Sequence, residues 1–164
     1  MPHPSDIPLW LLIGLPGSGK STWAWSFQAV EQAIAIVSTD RIRSDLFGNE
    51  ATQGPWSQVW STVTMQFRAA IRQTQQGQLV GTVYDATNTK RQGRRQIIKT
   101  AQSLGFNRIL AVWLDVSLAE CLQRNEQRSR QVPAEVLHTM ARSLAGAPPD
   151  CAEGFDALYR LRPF

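Results

Sequence analysis

The stretch Gly14-Leu15-Pro16-Gly17-Ser18-Gly19-Lys20-Ser21 decides the reading of this chain. Its spacing is G-x-x-x-x-G-K-[ST], the pattern of a phosphate-binding loop. The flanks agree with that pattern. Leu9-Trp10-Leu11-Leu12-Ile13 is a short apolar run of the kind that forms a buried parallel strand. Trp23 to Val30 can continue as a helix behind Ser21. Gly14, Gly17 and Gly19 let the backbone approach a ligand closely. The N–H groups of Pro16-Gly17-Ser18-Gly19-Lys20-Ser21-Thr22, proline excepted, then converge on phosphate oxygens at a helix N-terminus. In this arrangement Lys20 reaches the β- and γ-phosphates of ATP, and Ser21 offers its hydroxyl to Mg²⁺.

Outward from the loop, strand and helix signals alternate. Strand 1 is expected from about Ile7 to Gly14 and a helix from Lys20 to Gln32. Ile34 to Ser38 reads as strand 2, followed by a loop turning into a short helix up to Gly48. A long helix runs from Pro55 or Trp56 to Gln76, with Val59, Val63, Phe67, Ala70 and Ile71 at helical spacing. Strand 3, Leu79 to Tyr84, finishes at Asp85, and a helix covers Arg91 to Leu104. Strand 4 spans Arg108 to Leu114; helices follow over Leu118 to Arg128 and from Pro133 to Leu144. Phe155 to Leu161 reads as a last short strand. Such alternation predicts an α/β, three-layer P-loop NTPase fold: a central parallel sheet of four to five strands, a helical lid over about 124–133, and one domain over 1–164. Ligands of these sheets lie beyond the carboxyl ends of the strands, where Gly14, Asp40, Asp85 and Asp115 fall.

Composition narrows the class. A hydrophobic fraction of 43% suits an ordinary globular domain, and the N-terminal segment Met1 to Asp6 has no positive n-region. The apolar run behind it is too short for a membrane span, so a cytoplasmic protein without a membrane partner is expected. Cys121 and Cys151 lack metal-ligand spacing and read as reduced thiols, Cys121 at a helix core position. The net charge of +4 is concentrated. Between Ala86 and Arg130 nine basic side chains stand against three acidic ones, a balance that favours phosphate-rich ligands. Fourteen of the seventeen positive charges are arginine, whose planar fork suits bidentate phosphate contacts. Among six tryptophans, Trp10, Trp23 and Trp113 fit the core and Trp25 its edge. Trp56 and Trp60, four apart, either pack in a helical hairpin or stack on a base.

Transfer of a phosphoryl group to a hydroxyl needs an acceptor held in line and a group to take its proton. Asp40, past strand 2, is the candidate base, although Asp40-Arg41-Ile42-Arg43 would also suit a helix N-cap. Arg43, three residues on, faces the same way on a helical turn and could hold an acceptor phosphate or the transferred group. Asp85 could hold Mg²⁺ through water, orient an arginine or bind substrate, and Asn88 follows in the same loop. Arg91, Arg94 and Arg95 sit at a helix start, where their charge opposes the dipole; that placement points to a ligand or to a solvated face. Arg124 and Arg128 share a helix face near the linker to Pro133 and can close over a γ-phosphate, with Arg130 beside them.

These residues resemble those of the kinase domain of polynucleotide kinases of the bacteriophage T4 type. Gly14-Leu-Pro-Gly-Ser-Gly-Lys-Ser-Thr-Trp-Ala24 resembles their phosphate loop and Ser38-Thr-Asp40-Arg-Ile-Arg43 their acceptor segment. Asp85-Ala-Thr-Asn88 with Arg94-Arg95 is similar to their third-strand segment, and Arg124 to Pro133 to their lid. The resemblance implies Asp40 as general base for a 5′-hydroxyl and Arg43 on the acceptor phosphate. It implies Arg128 as the catalytic arginine, with Lys20, and acceptor contacts from Asp85, Asn88 and Arg95. It covers Leu9 to about Leu161, and the phosphatase domain that often accompanies such kinases is expected to be absent. The function expected is an ATP- and Mg²⁺-dependent kinase acting on the 5′-OH of RNA or DNA. A kinase of small sugar, nucleoside or antibiotic hydroxyls, and an ATP-binding regulatory module, are the rival readings. Oligomeric state is not legible.

Overall fold

Successive residues of the first strand point to opposite faces of a sheet, and both faces are covered. Leu9, Leu11 and Ile13 pack on one side with helical residues such as Val63, Phe67 and Ile98. Trp10 and Leu12 pack on the other with Ala24, Trp23 and Phe27. The computed structural model describes residues 5–162. The expected domain limits at Met1 and Phe164, and the N-terminal Met1 to Pro4, lie outside the described residues.

The chain runs β1 (Pro8–Ile13), α1 (Lys20–Glu31), β2 (Ile34–Ser38), α2 (Thr39–Phe47), α3 (Trp56–Gln75), β3 (Gly81–Asp85) and α4 (Arg91–Leu104). It continues through β4 (Arg108–Leu114), α5 (Leu118–Glu126), α6 (Ala134–Gly146), a 3-10 turn (Cys151–Glu153) and β5 (Ala157–Leu161). The strands are parallel and ordered β2-β3-β1-β4-β5. This is a P-loop NTPase-like α/β fold. The sheet order reverses direction beside β1, so the loop after β1 opens at a topological switch point. A third, smaller apolar cluster joins Leu15 of that loop to Val116, Cys121 and Leu137. It seats α5 and α6 directly on the phosphate loop.

Four local expectations change. The short helix expected after β2 begins at once, without the loop before it: α2 is a nine-residue helix whose N-cap is Ser38, its Oγ accepting from the Arg41 N–H at 3.3 Å. β3 starts at Gly81, since Val80 still turns in from Ala33. α5 stops at Glu126 instead of Arg128, because the Asn125 side chain folds back onto the Val132 backbone, donating at 2.7 Å and accepting at 2.9 Å. Trp25, expected at the core edge, is 64% exposed; it faces away from the sheet on α1. Cys121 is buried, which pushes its thiol pKa up. Among the described residues no helix is long and apolar enough to cross a membrane.

Candidate active site

The loop between β1 and α1 is shaped for close approach. Gly17 and Gly19 hold φ of 84° and 94°, a region that side chains disfavour. Gly17 also lies under α5: a Cβ there would stand 2.9 Å from the Cys121 carbonyl oxygen. The Lys20 ammonium is buried and donates to the Leu15 carbonyl at 2.8 Å. Burial lowers its pKa to about 8, with the charges of Asp85 and Asp40 opposing the fall. Ser21 Oγ donates to Asp85 Oδ2 at 2.7 Å, tying the start of α1 to the end of β3. Asp85 is itself buried, and burial raises its pKa against the Ser21 hydrogen bond and the Lys20 charge.

These residues fit a nucleotide with Mg²⁺. The buried Ser18 hydroxyl has no partner among the described residues, the positive-φ glycines leave room along the loop, and the Ser21 hydroxyl and Asp85 carboxylate form an oxygen donor pair. Among the described residues there is no group of three His, Cys, Asp or Glu side chains that could hold a metal. A Mg²⁺ ion here would therefore rest on Ser21, Asp85 and the phosphates, in keeping with its usual sparse protein ligation.

A cleft of about 640 Å³ extends from this loop past the end of β2 and under the linker after α5. Asp40 and Arg43 line it from the first turn of α2. Because Ser38 does the capping, the Asp40 carboxylate is turned to other partners: Arg43 Nη1 donates to Oδ1 at 3.3 Å, and Arg130 Nη1 stands 4.0 Å from Oδ2. Asp40 keeps 54% of its side chain exposed while Arg43 keeps 15%. Arg124 and Arg128 line the opposite wall; Arg124 Nη1 donates to the Gly17 carbonyl at 3.2 Å, and it pairs with Glu120. With α5 ending early, Arg128 belongs to the linker and not to Arg124's helical face, yet both still meet the cleft.

The remaining expected site residues divide. Asn88 lines the cleft at φ 50° and donates to the Leu12 carbonyl at 2.6 Å, bracing β1. Arg95 is exposed on α4 and lies outside the cleft lining. Arg94 is neither a ligand contact nor a solvated charge. It is fully buried, its Nε and Nη2 donating to the two Glu153 oxygens at 2.7 Å each and its Nη groups to the carbonyls of Thr89 and Ala147. Asp115 binds Arg160 and Arg162 and serves the β5 edge.

Three contributions escaped the sequence reading. Glu153 had a readable signal, the capping pattern Asp150-x-x-Glu153 of the 3-10 turn. The contact of Arg130 with Asp40 and Glu50, at 4.0 and 3.2 Å, has no such signal, since it depends on the linker crossing to α2. Gln53 joins the cleft from the polar loop before α3.

The family described as AAA domain matches residues 9–147. The chain belongs to the AAA domain family. Within that family's fold it is similar to a chain of the Pnkp1/Rnl/Hen1 RNA repair complex, with 22% identity and a TM-score of 0.71 over 95% of this chain and 48% of that one. A fungal RNA kinase aligns over 95% of this chain and 38% of its own, with 14% identity and a TM-score of 0.63. An unliganded sugar kinase from Janibacter sp. aligns over 96% of this chain and 85% of its own, with 19% identity and a TM-score of 0.61. This AAA domain chain spans about half the length of the RNA repair protein it matches. At these identities the likeness is one of fold, and it extends across both nucleic-acid and sugar kinases.

Proposed function

We propose that this chain is a kinase that transfers the γ-phosphoryl group of ATP to a hydroxyl, the acceptor being the 5′-OH of a polynucleotide. The observation that carries the reading is Asp40. A carboxylate half open to solvent lies in the same cleft as the phosphate loop, its second-turn neighbour Arg43 bonded to it. A nucleotide switch has no need of that carboxylate, whereas hydroxyl transfer does.

In this reading the loop amides and Lys20 hold the β- and γ-phosphates. Mg²⁺, when bound, neutralises charge between those phosphates, and Ser21 and Asp85 are the residues that would hold it. Asp40 takes the proton of the attacking hydroxyl. Arg43 holds the acceptor's first phosphate, a bidentate role that its planar fork suits. Arg128, with Arg124, stabilises charge developing on the transferring group from the far wall of the cleft. Arg130 bridges the linker to Asp40 and Glu50, so the linker can cover the acceptor as it closes. The whole acts as one kinase domain whose lid spans about 124–133.

The test is transfer of γ-labelled phosphate from ATP–Mg²⁺ to a short 5′-OH oligonucleotide, RNA and DNA in parallel. Asp40→Asn should bind ATP as the parent does and lose about 10²–10⁴-fold in turnover, the usual worth of a positioned base. Label on sugars or nucleosides with none on oligonucleotide would replace the polynucleotide acceptor by a small one. Unchanged turnover in Asp40→Asn would remove Asp40 from the mechanism.

A further inference from the structure

We infer that Trp56 is a stacking platform for an aromatic base at the hydroxyl-bearing end of the acceptor, so that the acceptor site selects nucleotides over plain sugar phosphates. The inference rests on the kinase reading and deepens it by naming what the acceptor must carry beside its hydroxyl.

Trp56 is the first residue of α3, directly behind Pro55, and it lines the cleft with 51% of its surface exposed. Single exposed tryptophans are common, and exposure alone argues little. Three contacts set this one apart. Trp60, one helical turn on, stacks behind it with ring centroids 6.1 Å apart and planes inclined by 23°. Trp60 in turn packs against the main core, so the outer indole rests on a fixed plate. The Arg43 guanidinium stands 5.9 Å from the Trp56 ring centroid.

Arg43 joins the platform to the chemistry. It is largely buried, its Nη1 is bonded to Asp40, and its buried Nε has no partner among the described residues. Carboxylate, guanidinium and indole therefore follow one another along a single wall. An acceptor whose hydroxyl meets Asp40 and whose phosphate meets Arg43 brings its next planar group to Trp56. Rigid indole faces stack bases of any sequence, because every base has a π-face. The site so built favours a nucleotide without reading which base it carries.

The probes are two 3′-fluorescein single-stranded DNA oligonucleotides, identical except that one lacks the bases of its first two nucleotides while keeping the 5′-OH and all phosphates. Anisotropy titrations are run with a non-hydrolysable ATP analogue and Mg²⁺. The parent should bind the base-bearing strand about 5- to 100-fold more tightly, the range of one stacked base. Trp56→Leu, which keeps an apolar side chain on Trp60, should bring the two strands within about twofold by weakening the base-bearing one alone. Trp56→Phe should retain most of the preference, and ATP affinity should be unchanged in both variants. Equal affinities in the parent, or a preference that survives Trp56→Leu, would overturn the platform. Turnover on the base-bearing strand reads the kinase proposal separately. Phosphorylation with equal affinities removes the platform and leaves the kinase; base-dependent binding with no phosphorylation leaves the platform and removes the kinase.

Discussion

Lys20 carries the largest electrostatic cost in the phosphate loop, and that cost is visible as pH dependence. Its pKa, held near 8 by burial, lies below the ordinary lysine value, so the folded ligand-free protein binds fewer protons than the unfolded chain between about 8 and 10.5. Stability contributed by this group therefore rises with pH through that window. Nucleotide binding runs the other way. Phosphates beside Nζ favour the ammonium, so above pH 8 binding must take up a proton and affinity should fall by about tenfold per unit. Calorimetry at pH 9 in buffers of different ionisation enthalpy should detect close to one proton taken up with ATP, and none in Lys20→Met. Proton-neutral binding by the parent would show that Lys20 stays charged without its ligand. Gly17 makes a second test at this scale. Its positive φ disfavours any side chain, by roughly 1–2 kcal/mol, and an alanine Cβ would press on the Cys121 carbonyl oxygen at 2.9 Å. Gly17→Ala should lower the melting temperature and weaken ATP binding at least tenfold, read by thermal unfolding and titration. At Gly14 an alanine Cβ would meet the Ser18 hydroxyl, which can rotate away, and the Leu114 carbonyl oxygen at 3.0 Å, which cannot, but the position carries no positive φ.

Elements differ in how much of them the chain announces. β1, β4 and α4 were legible because an apolar run or a 3.6-residue period and a terminating glycine define them locally. α2 was read as a loop turning into a short helix because Asp40-Arg41-Ile42-Arg43-Ser44-Asp45 is polar, yet one buried Ile42 and the Ser38 cap suffice to make it helical from Thr39 onward. The early start of the helix matters for the site: Asp40 lies in its first turn and faces Arg43 as the i, i+3 spacing requires. Arg94 was misread since a buried arginine cannot be told from a solvated one until its partner is known, and Glu153 lies 59 residues away. The pair joins α4, the β3–α4 loop and the segment before β5 at one point. Arg94→Met would leave the buried Glu153 carboxylate with only the half-exposed Arg91, 3.7 Å away, and should cost about 3–5 kcal/mol in urea unfolding. Adding Glu153→Gln should recover part of that loss by removing the poorly compensated charge. A loss below about 1 kcal/mol in the single variant would mean that water reaches Glu153 once the arginine is gone. The linker after α5 shows the same limit of sequence. Arg124 and Arg128 were found as a pair by spacing, although they end on different elements and share only the lining of the cleft.

At the scale of the molecule, charge and shape together favour an anionic acceptor. The sheet gathers Lys20, Asp40 and Asp85 at the carboxyl ends of β1, β2 and β3, and the net charge of +4 surrounds them with arginine. A polynucleotide that docks there displaces condensed counterions, and each phosphate neutralised on a single strand contributes about −0.7 to the slope of log K against log salt. A neutral sugar or antibiotic displaces none. Affinity for a 5′-OH oligonucleotide, measured from 50 to 300 mM salt with a non-hydrolysable ATP analogue, should therefore fall with a slope steeper than about −0.7. Arg43→Gln should make it shallower by about 0.7, because one phosphate contact is lost. Trp56→Leu should weaken binding at every salt concentration and leave the slope alone, since stacking releases no ions. The two variants thus separate charge from stacking within one cleft. A flat slope in the parent would remove the polynucleotide as acceptor, and the same phosphate loop, base and arginines would then have to be read against a small uncharged hydroxyl compound.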